Sequence, residues 1–551
     1  MPPENKSSNS AMGALAKVER PIKKIFDRYI TFATGVLALV LILVFIPSNK
    51  TQVAVVANTS NITPATSPGA PGQTVSGVAC GPNKPQIPWS VYSPICEPKW
   101  SGNNGGSTYN GVTGTTINLT YRYAASAILN ALYGIVPEKV IGTNQDAIST
   151  MQAYINLFNK EFELYGRKVN LVPFVGQGNF IAEDTGGGLA QAKADAVNVA
   201  SSLHGFADMS LIDASSAYSK DLALSKVISM SIYENSQQYY QQNAPYAYSP
   251  GPNCTEQATA EAAILAKSVY GIPQTDAGPG SEGKTGKIGI IYQDTPQWTI
   301  CANEASNLLQ NTYHEQAPIM QSYAFDLSQF PTESATMMAK FKAENVTTVV
   351  CIDCDPITPL YVFQAANNAN YYPQWLFGGL FSYTFTGGDG YGNLYAPNQT
   401  NHMIFMGEPV PQNQIQQEAY QAYLKTGAPL SQLSPAYYLV YMSLLQFYDA
   451  LQAAGPNLTP VTFEQGVFNS RGDLPSSSAN GIFGQWTWQQ NKYDPSNGFA
   501  IVHWKASAIS NLNGTPAYGT KGAWVACNNG TQYLFSNTVA ALPNHKPLSC
   551  P

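Results

Sequence analysis

Residues 115–123 read TTINLTYRY, polar and apolar side chains alternating with the period of a β-strand. The elements downstream of this stretch decide the fold class. From Thr143 the positions Ile148, Met151, Tyr154, Ile155, Phe158 and Phe162 form one apolar helical face, and Gly166-Arg167-Lys168 turns the chain into a second strand, VNLVPFV. The helical AQAKADAVNVASSL, the strand ADMSLID, a helix opening at Ser215-Ser216 and the strand VISMSI continue the series. Strands alternating with helices at this spacing predict right-handed βαβ units and a parallel sheet with helices on both faces.

Further along, the same order restarts. A helix over about 255–270 leads through a Gly/Pro/Ser loop into KIGIIYQD, a buried strand by its continuous apolar run. Thr295 suits an N-cap with Pro296 at the first helical position. The helix ESATMMAKFKAE, the strand VTTVVCID, a helix after Pro359 and the short strand QWLFGG come next. Two consecutive α/β units predict two lobes with a crevice between them. Beyond Thr400 come the strand MIFMGEPV, helices near 412–425 and 435–453, and two terminal strands, SANGIFGQWTW and FAIVHWKAS. Gly, Asn and Thr then dominate residues 506–551, which read as a C-terminal extension.

Upstream, Tyr29 to Pro47 (YITFATGVLALVLILVFIP) carries no charge, and about 20 apolar residues suffice to cross a bilayer. Lys17, Arg20, Lys23, Lys24 and Arg28 precede it, so the positive-inside rule puts residues 1–28 in the cytoplasm and the rest outside. A cleaved signal peptide is the competing reading, Val55-Val56-Ala57 resembling a cleavage site. The length of the basic tail and of the apolar run favours an uncleaved anchor in the cell membrane. Residues 48–110, rich in Pro, Gly, Ser, Thr and Asn, read as a spacer.

The net charge of −6 divides unevenly: residues 1–28 hold six Lys/Arg and three Asp/Glu, and the remainder 22 and 31. An acidic exterior with no basic stripe argues against a nucleic-acid partner. Only 11% of residues are charged, against roughly 25% in ordinary soluble domains. All eight cysteines, at 80, 96, 254, 301, 351, 354, 527 and 550, lie beyond the apolar run, which favours disulfides over metal or thiol chemistry. Proximity suggests Cys80–Cys96 and Cys527–Cys550. Cys351 and Cys354 have the spacing of a redox motif, but no second such pair exists to build a zinc site.

The order of these elements resembles the type I periplasmic binding proteins, the leucine/isoleucine/valine-binding group. GVTGTTINLTYRY, YINLFNKEFELYGRKVNLVPF, KIGIIYQDTPQW, KFKAENVTTVVCID and FQAANNANYYPQWLFGG carry the likeness across residues 111–505. It implies a Venus-flytrap fold, with lobe 1 at about 111–249, lobe 2 at about 250–379 and the remainder shared. The chain departs from the group in its membrane anchor and its C-terminal extension. It departs again in a larger and more apolar first loop, AASAILNALYGIVP, and in the CIDCD that ends a lobe 2 strand.

In open α/β sheets ligands bind outside the carboxyl ends of the strands. Ser215 and Ser216 open a helix after such a strand, where free N–H groups and the dipole favour an anion; a plain serine cap is the alternative. By resemblance, amino-acid-binding relatives hold the ligand carboxylate there. Tyr218 either covers a ligand or packs within its helix. By the same resemblance, Tyr233 and Asn235 match a second set of lobe 1 contacts. From lobe 2, Trp298 suits stacking on an apolar group, Asp353 or Asp355 suits an ammonium, and Phe381 and Tyr383 would line the cleft. Packing and solvated loops are the bland readings for these positions.

No G-x-S-x-G, H-E-x-x-H or P-loop occurs, and the five histidines are scattered. The Lys-Thr-Gly triplets at Lys284 and Lys425 and Arg471-Gly472-Asp473 read as chance, and N-x-T sequons such as Asn118 and Asn253 matter only in a glycosylating host. The expectation is a tethered extracytoplasmic solute-binding protein, not an enzyme, with no metal or cofactor. It would capture an amino acid, an amide or a similar solute for a permease and ATPase complex. The alternative is a sensory or adhesive ectodomain with a degenerate cleft.

Overall fold

A computed structural model describes residues 61–230, 235–324, 326–352, 355, 357–378, 392–407, 414–470, 485–510 and 519–551. The apolar run 29–47 lies outside them. Among the described residues no helix is long and apolar enough to cross a membrane.

The described chain starts with a segment packed onto lobe 1. Strands β1 (Gly72–Gln73) and β2 (Ala79–Cys80) pair antiparallel beside the Cys80–Cys96 disulfide. Ile87, Tyr92 and Cys96 are fully buried. Ser90 Oγ donates to Glu418 Oε1 at 2.6 Å and the Val91 N–H to Glu418 Oε2 at 2.9 Å. Residues 61–110 are therefore not the free spacer that their composition suggested. Few apolar side chains hold them; a disulfide and hydrogen bonds to buried carboxylates supply the order instead.

The strand pattern of TTINLTYRY becomes β3 (Thr116–Tyr123), an inner strand of the lobe 1 sheet. With β4 (Lys168–Val175), β5 (Ala207–Asp208), β6 (Ile228–Met230) and β7 (Ala247–Tyr248) it forms a parallel sheet in the order β4-β3-β5-β6-β7. Helix Asn144–Glu161 starts with a Thr143 capping box and buries Met151, Tyr154, Ile155 and Phe158 on one face of the sheet. Helices Leu189–Ser201 and Ser216–Leu224 cover the other. Late in the chain, helices Glu418–Thr426, Tyr437–Ala454 and Pro460–Asn469 return to lobe 1; Tyr154 OH, for instance, donates to the Ala419 carbonyl at 2.8 Å.

Lobe 2 repeats the topology. β8 (Ile288–Gln293), β9 (Ile319–Tyr323), β10 (Thr348–Cys351), β11 (Gln374–Phe377) and β12 (Met403–Gly407) run parallel in the order β9-β8-β10-β11-β12. Along β10, Val349 and Cys351 face one buried layer and Val350 the other, as the two-residue period of a doubly covered strand requires. β13 (Gly498–Ile509) then pairs antiparallel with β12 and carries β14 (Lys521–Ala526) and β15 (Gln532–Leu534). The boundary expected at residue 506 falls inside β13, and the extension adds β14 and β15 to the lobe 2 sheet. Its polar composition hid this, because pairing to β13 and the Cys527–Cys550 disulfide anchor it. Cys254–Cys301 links helices Cys254–Ser268 and Pro296–Asn311, and Cys351 is also disulfide-bonded; no described cysteine is free.

Candidate functional site

In each sheet the first strand is flanked by the second and the third, so connections leave in opposite directions at β3/β5 and at β8/β10. Crevices form outside the carboxyl ends of strands at such switch points.

The lobe 1 switch point holds a buried charge cluster built around Arg122, the last residue but one of β3. Arg122 is fully buried. Its guanidinium meets Glu183 in a two-pronged pair, Nη1 to Oε1 at 2.7 Å and Nη2 to Oε2 at 3.1 Å. Asp195 Oδ2 stands 3.4 Å from Nη1 and Asp213 Oδ2 3.6 Å from Nε, while Nη2 also donates to the Asp213 carbonyl. Beneath, the guanidinium lies 3.7 Å from the centre of the Tyr218 ring. Asp208, at the end of β5, accepts from Thr120 Oγ1 at 2.6 Å and Tyr218 OH at 3.1 Å.

Neighbouring backbone is shaped to this cluster. Asp195 accepts from the N–H groups of Gln177 and Gly178, both at 3.0 Å, which pins the loop after β4. Glu183 lies on the short helix Phe180–Asp184, between Gly178 and Gly188. A Cβ at Gly178 would collide with Glu183 Oε1, and one at Gly188 would sit 2.9 Å from Glu183 Cγ. Burial pushes the Asp213 carboxyl up to about 7 despite Arg122, whose charge Glu183 already balances at closer range. Burial also raises Asp208, against its hydrogen bonds from Ser210 and Thr120. For Arg122, burial opposes the charge, but Asp213 and Glu183 outweigh it and hold the guanidinium charged.

Four of the residues expected from the sequence meet at this edge. Ser215 caps its helix through the Tyr218 N–H at 3.1 Å, and its hydroxyl also donates to Glu183 Oε2. Tyr218 is buried under Arg122 rather than placed over a ligand. Ser216 Oγ donates to Asn235 Oδ1 at 2.6 Å, and the Asn235 carbonyl accepts from the Cys254 N–H at 3.1 Å, where the chain enters lobe 2. Ser215 is thus turned inward to a carboxylate of its own chain.

In lobe 2, Trp298 is buried with Ile288 and Ile290 in the core and does not line the crevice. A tryptophan in the first turn of a helix against a buried strand is drawn into that packing by its apolar area. Asp355 caps the helix Thr358–Asn368, accepting from the N–H groups of Ile357 at 2.6 Å and Thr358 at 3.1 Å. Tyr233, Asp353, Phe381 and Tyr383 lie outside the described residues. Among the described residues no group of three or more His, Cys, Asp or Glu is arranged for a metal.

Sequence reasoning missed the charge cluster itself. Its signals were Arg122 inside the strand TINLTYRY and Asp195 in the alanine-rich helix LAQAKADAVNVAS. It also left open the role of the first loop. Residues 126–133 and 138–141 are helical, and Leu132, Val136 and Val140 join one apolar cluster with Tyr323, Phe330 and Ile357 of lobe 2. The first loop of lobe 1 therefore reaches the strand ends of lobe 2.

No protein-family model matches the chain, and no curated protein matches it in sequence. Many solved structures share its fold. A fatty acid ABC transporter substrate-binding protein from Thermomonospora curvata is 12% identical with a TM-score of 0.52, covering 80% of this chain and 99% of that one. A leucine-, isoleucine-, valine-, threonine- and alanine-binding protein from Brucella ovis, in a closed conformation, is 13% identical with a TM-score of 0.51, covering 79% and 99%. A possible leucine/isoleucine/valine-binding protein from Rhodopirellula baltica is 11% identical with a TM-score of 0.50, covering 75% and 97%. The chain thus has the two-lobed α/β fold of these binding proteins, the group that its sequence resembles.

Proposed function

We propose that this protein is an extracytoplasmic solute-binding protein, not an enzyme, tethered by residues 29–47 with its N-terminus in the cytoplasm. It captures a small solute between its lobes and hands it to a permease and ATPase complex. The observation that carries this reading is the repeat of one strand order in two lobes, each presenting a switch point. Such a crevice closes when a ligand contacts both lobes, the ligand selecting the closed population. The likeness of fold to substrate-binding proteins of ABC transporters supports the same reading.

The bridge that Leu132, Val136 and Val140 already make to lobe 2 favours a second reading, an ectodomain with a degenerate cleft. A thermal-shift screen of the full-length protein against amino acids, amides, polyols, aromatic acids and acyl compounds separates the two. Capture predicts a raised melting temperature with at least one class; silence across the panel favours the degenerate cleft. For the tether, protease added outside intact cells should release one soluble fragment by cutting between residues 48 and 60. An intact, inaccessible chain would overturn that orientation.

A further inference from the structure

At a helix start such as Ser216–Leu224, exposed N–H groups and the dipole attract an anion, and a buried guanidinium nearby strengthens the attraction. Here the guanidinium is satisfied by Glu183, and of the helix-start N–H groups that of Tyr218 is taken by Ser215 Oγ. Glu183 takes the two-pronged pair with Arg122 and the hydroxyl of the capping Ser215. Its carboxylate fits a space that a methyl group at Gly178 would invade, and its stem one that a methyl group at Gly188 would crowd. Among the described residues Arg122 is the one cation of the cluster, facing Glu183, Asp195 and Asp213, with Asp208 behind Tyr218. Carboxyl groups thus outnumber the one cation of the cluster, and that cation is already paired, so the edge offers a solute carboxylate no unspent positive partner.

We propose that Glu183 is a built-in substitute for a ligand carboxylate, and that the lobe 1 edge consequently selects solutes presenting a neutral or cationic group, such as an amide or an amine, and rejects carboxylates. The inference rests on the solute-binding reading for its ligand class, whereas the role of Glu183 stands on the geometry alone. Glu183 is on this view a specificity-determining residue that acts without touching the solute.

Two measurements on the full-length protein test it. The first compares acid and amide pairs that lack an amine, isovalerate with isovaleramide and 4-hydroxybenzoate with 4-hydroxybenzamide, and adds isopentylamine, by calorimetry. Amides or the amine should bind at least tenfold more tightly than the matching acids, and Glu183→Gln should narrow that preference. An acid binding wild type as tightly as its amide overturns the ligand class. The second needs no solute. Glu183→Ala should gain several degrees in melting temperature from acetate over chloride at equal ionic strength, and wild type none. If the variant folds poorly, its refolding yield in acetate against chloride reads the same effect. An equal response in variant and wild type, or no refolding in either salt, overturns the role of Glu183. If no probe binds but acetate rescues the variant, the solute-binding reading fails while the role of Glu183 stands.

Discussion

The two lobes share a strand order and differ in what they bury at the matching edge. Lobe 1 encloses Arg122 with Glu183, Asp195, Asp208 and Asp213, whereas lobe 2 encloses aromatic and aliphatic side chains, with Tyr323 stacked on Phe330 at 4.6 Å and Asp355 spent on a helix cap. The difference teaches that topology locates a crevice but leaves its chemistry open. One arginine in β3 and the glycine-flanked turn that carries Glu183 suffice to make one edge ionic.

Breaking the ionic edge should produce the largest effect of any single substitution. Arg122→Met leaves several carboxylates buried without their cation, and about 3–5 kcal/mol of stability should be lost. Denaturant unfolding of the purified protein measures it; a loss below about 1 kcal/mol would mean that the cluster is solvated rather than ionic.

Next comes pH. Asp213 is pushed up to about 7 by burial, and Glu97, also packed on lobe 1, up to about 8 by burial and the nearby Glu163. Both carboxyls keep their proton in the folded state at a pH where the unfolded chain has lost it. Their stabilisation is complete below the unfolded values near pH 4 and is lost as pH rises through 7 and 8. Above pH 5 the loss runs over about 2 pH units for Asp213 and about 3 for Glu97, so at about 1.4 kcal/mol per unit a fall of up to about 7 kcal/mol by pH 8 is expected. His402 and His503 in lobe 2 act in the opposite sense. Burial holds both below the ordinary imidazole value, so their contribution is lost as pH falls through about 6.5. Unfolding curves across this range, with Asp213→Asn and Glu97→Gln flattening the alkaline side, separate the lobes; a profile that the two variants leave unchanged would refute the assignment.

Ser215→Ala should cost about 1–3 kcal/mol, since it strips a hydrogen bond from a buried carboxylate. Asp355→Ala, at the matching place in lobe 2, removes the acceptor of the Ile357 and Thr358 N–H groups and of the Thr358 hydroxyl but strips no charged partner, and about 1 kcal/mol is expected. Equal losses at the two positions would erase the contrast between the edges.

Much of the scaffold was legible in the residues alone. The apolar face of Met151, Tyr154, Ile155 and Phe158, the helix start at Thr143 and Pro296 at the first position of another helix are local patterns, and each lies where spacing put it. The site was less so. Ser215 was found as a helix opening, yet its partner, Glu183, lies 32 residues earlier in a stretch with no motif. Trp298 was read as a crevice residue because its sequence position could not say which way its ring points. Strand β9 passed unread, since ordinary residues such as Gln321 and Ser322 fill it and its pairing with β8 alone orders it.

The sequence by itself determined the alternation of strands and helices and the restart of that order in a second lobe, because periodicity and capping act over a few residues; for two of the disulfide pairs it offered only proximity, and the structure made the pairing. Only the tertiary structure decided that residues 61–110 are packed, that the last strands extend the lobe 2 sheet and that Arg122 meets Glu183. Those outcomes depend on groups far apart in the chain, and a buried charge chooses its partner by distance in space, which no local pattern encodes.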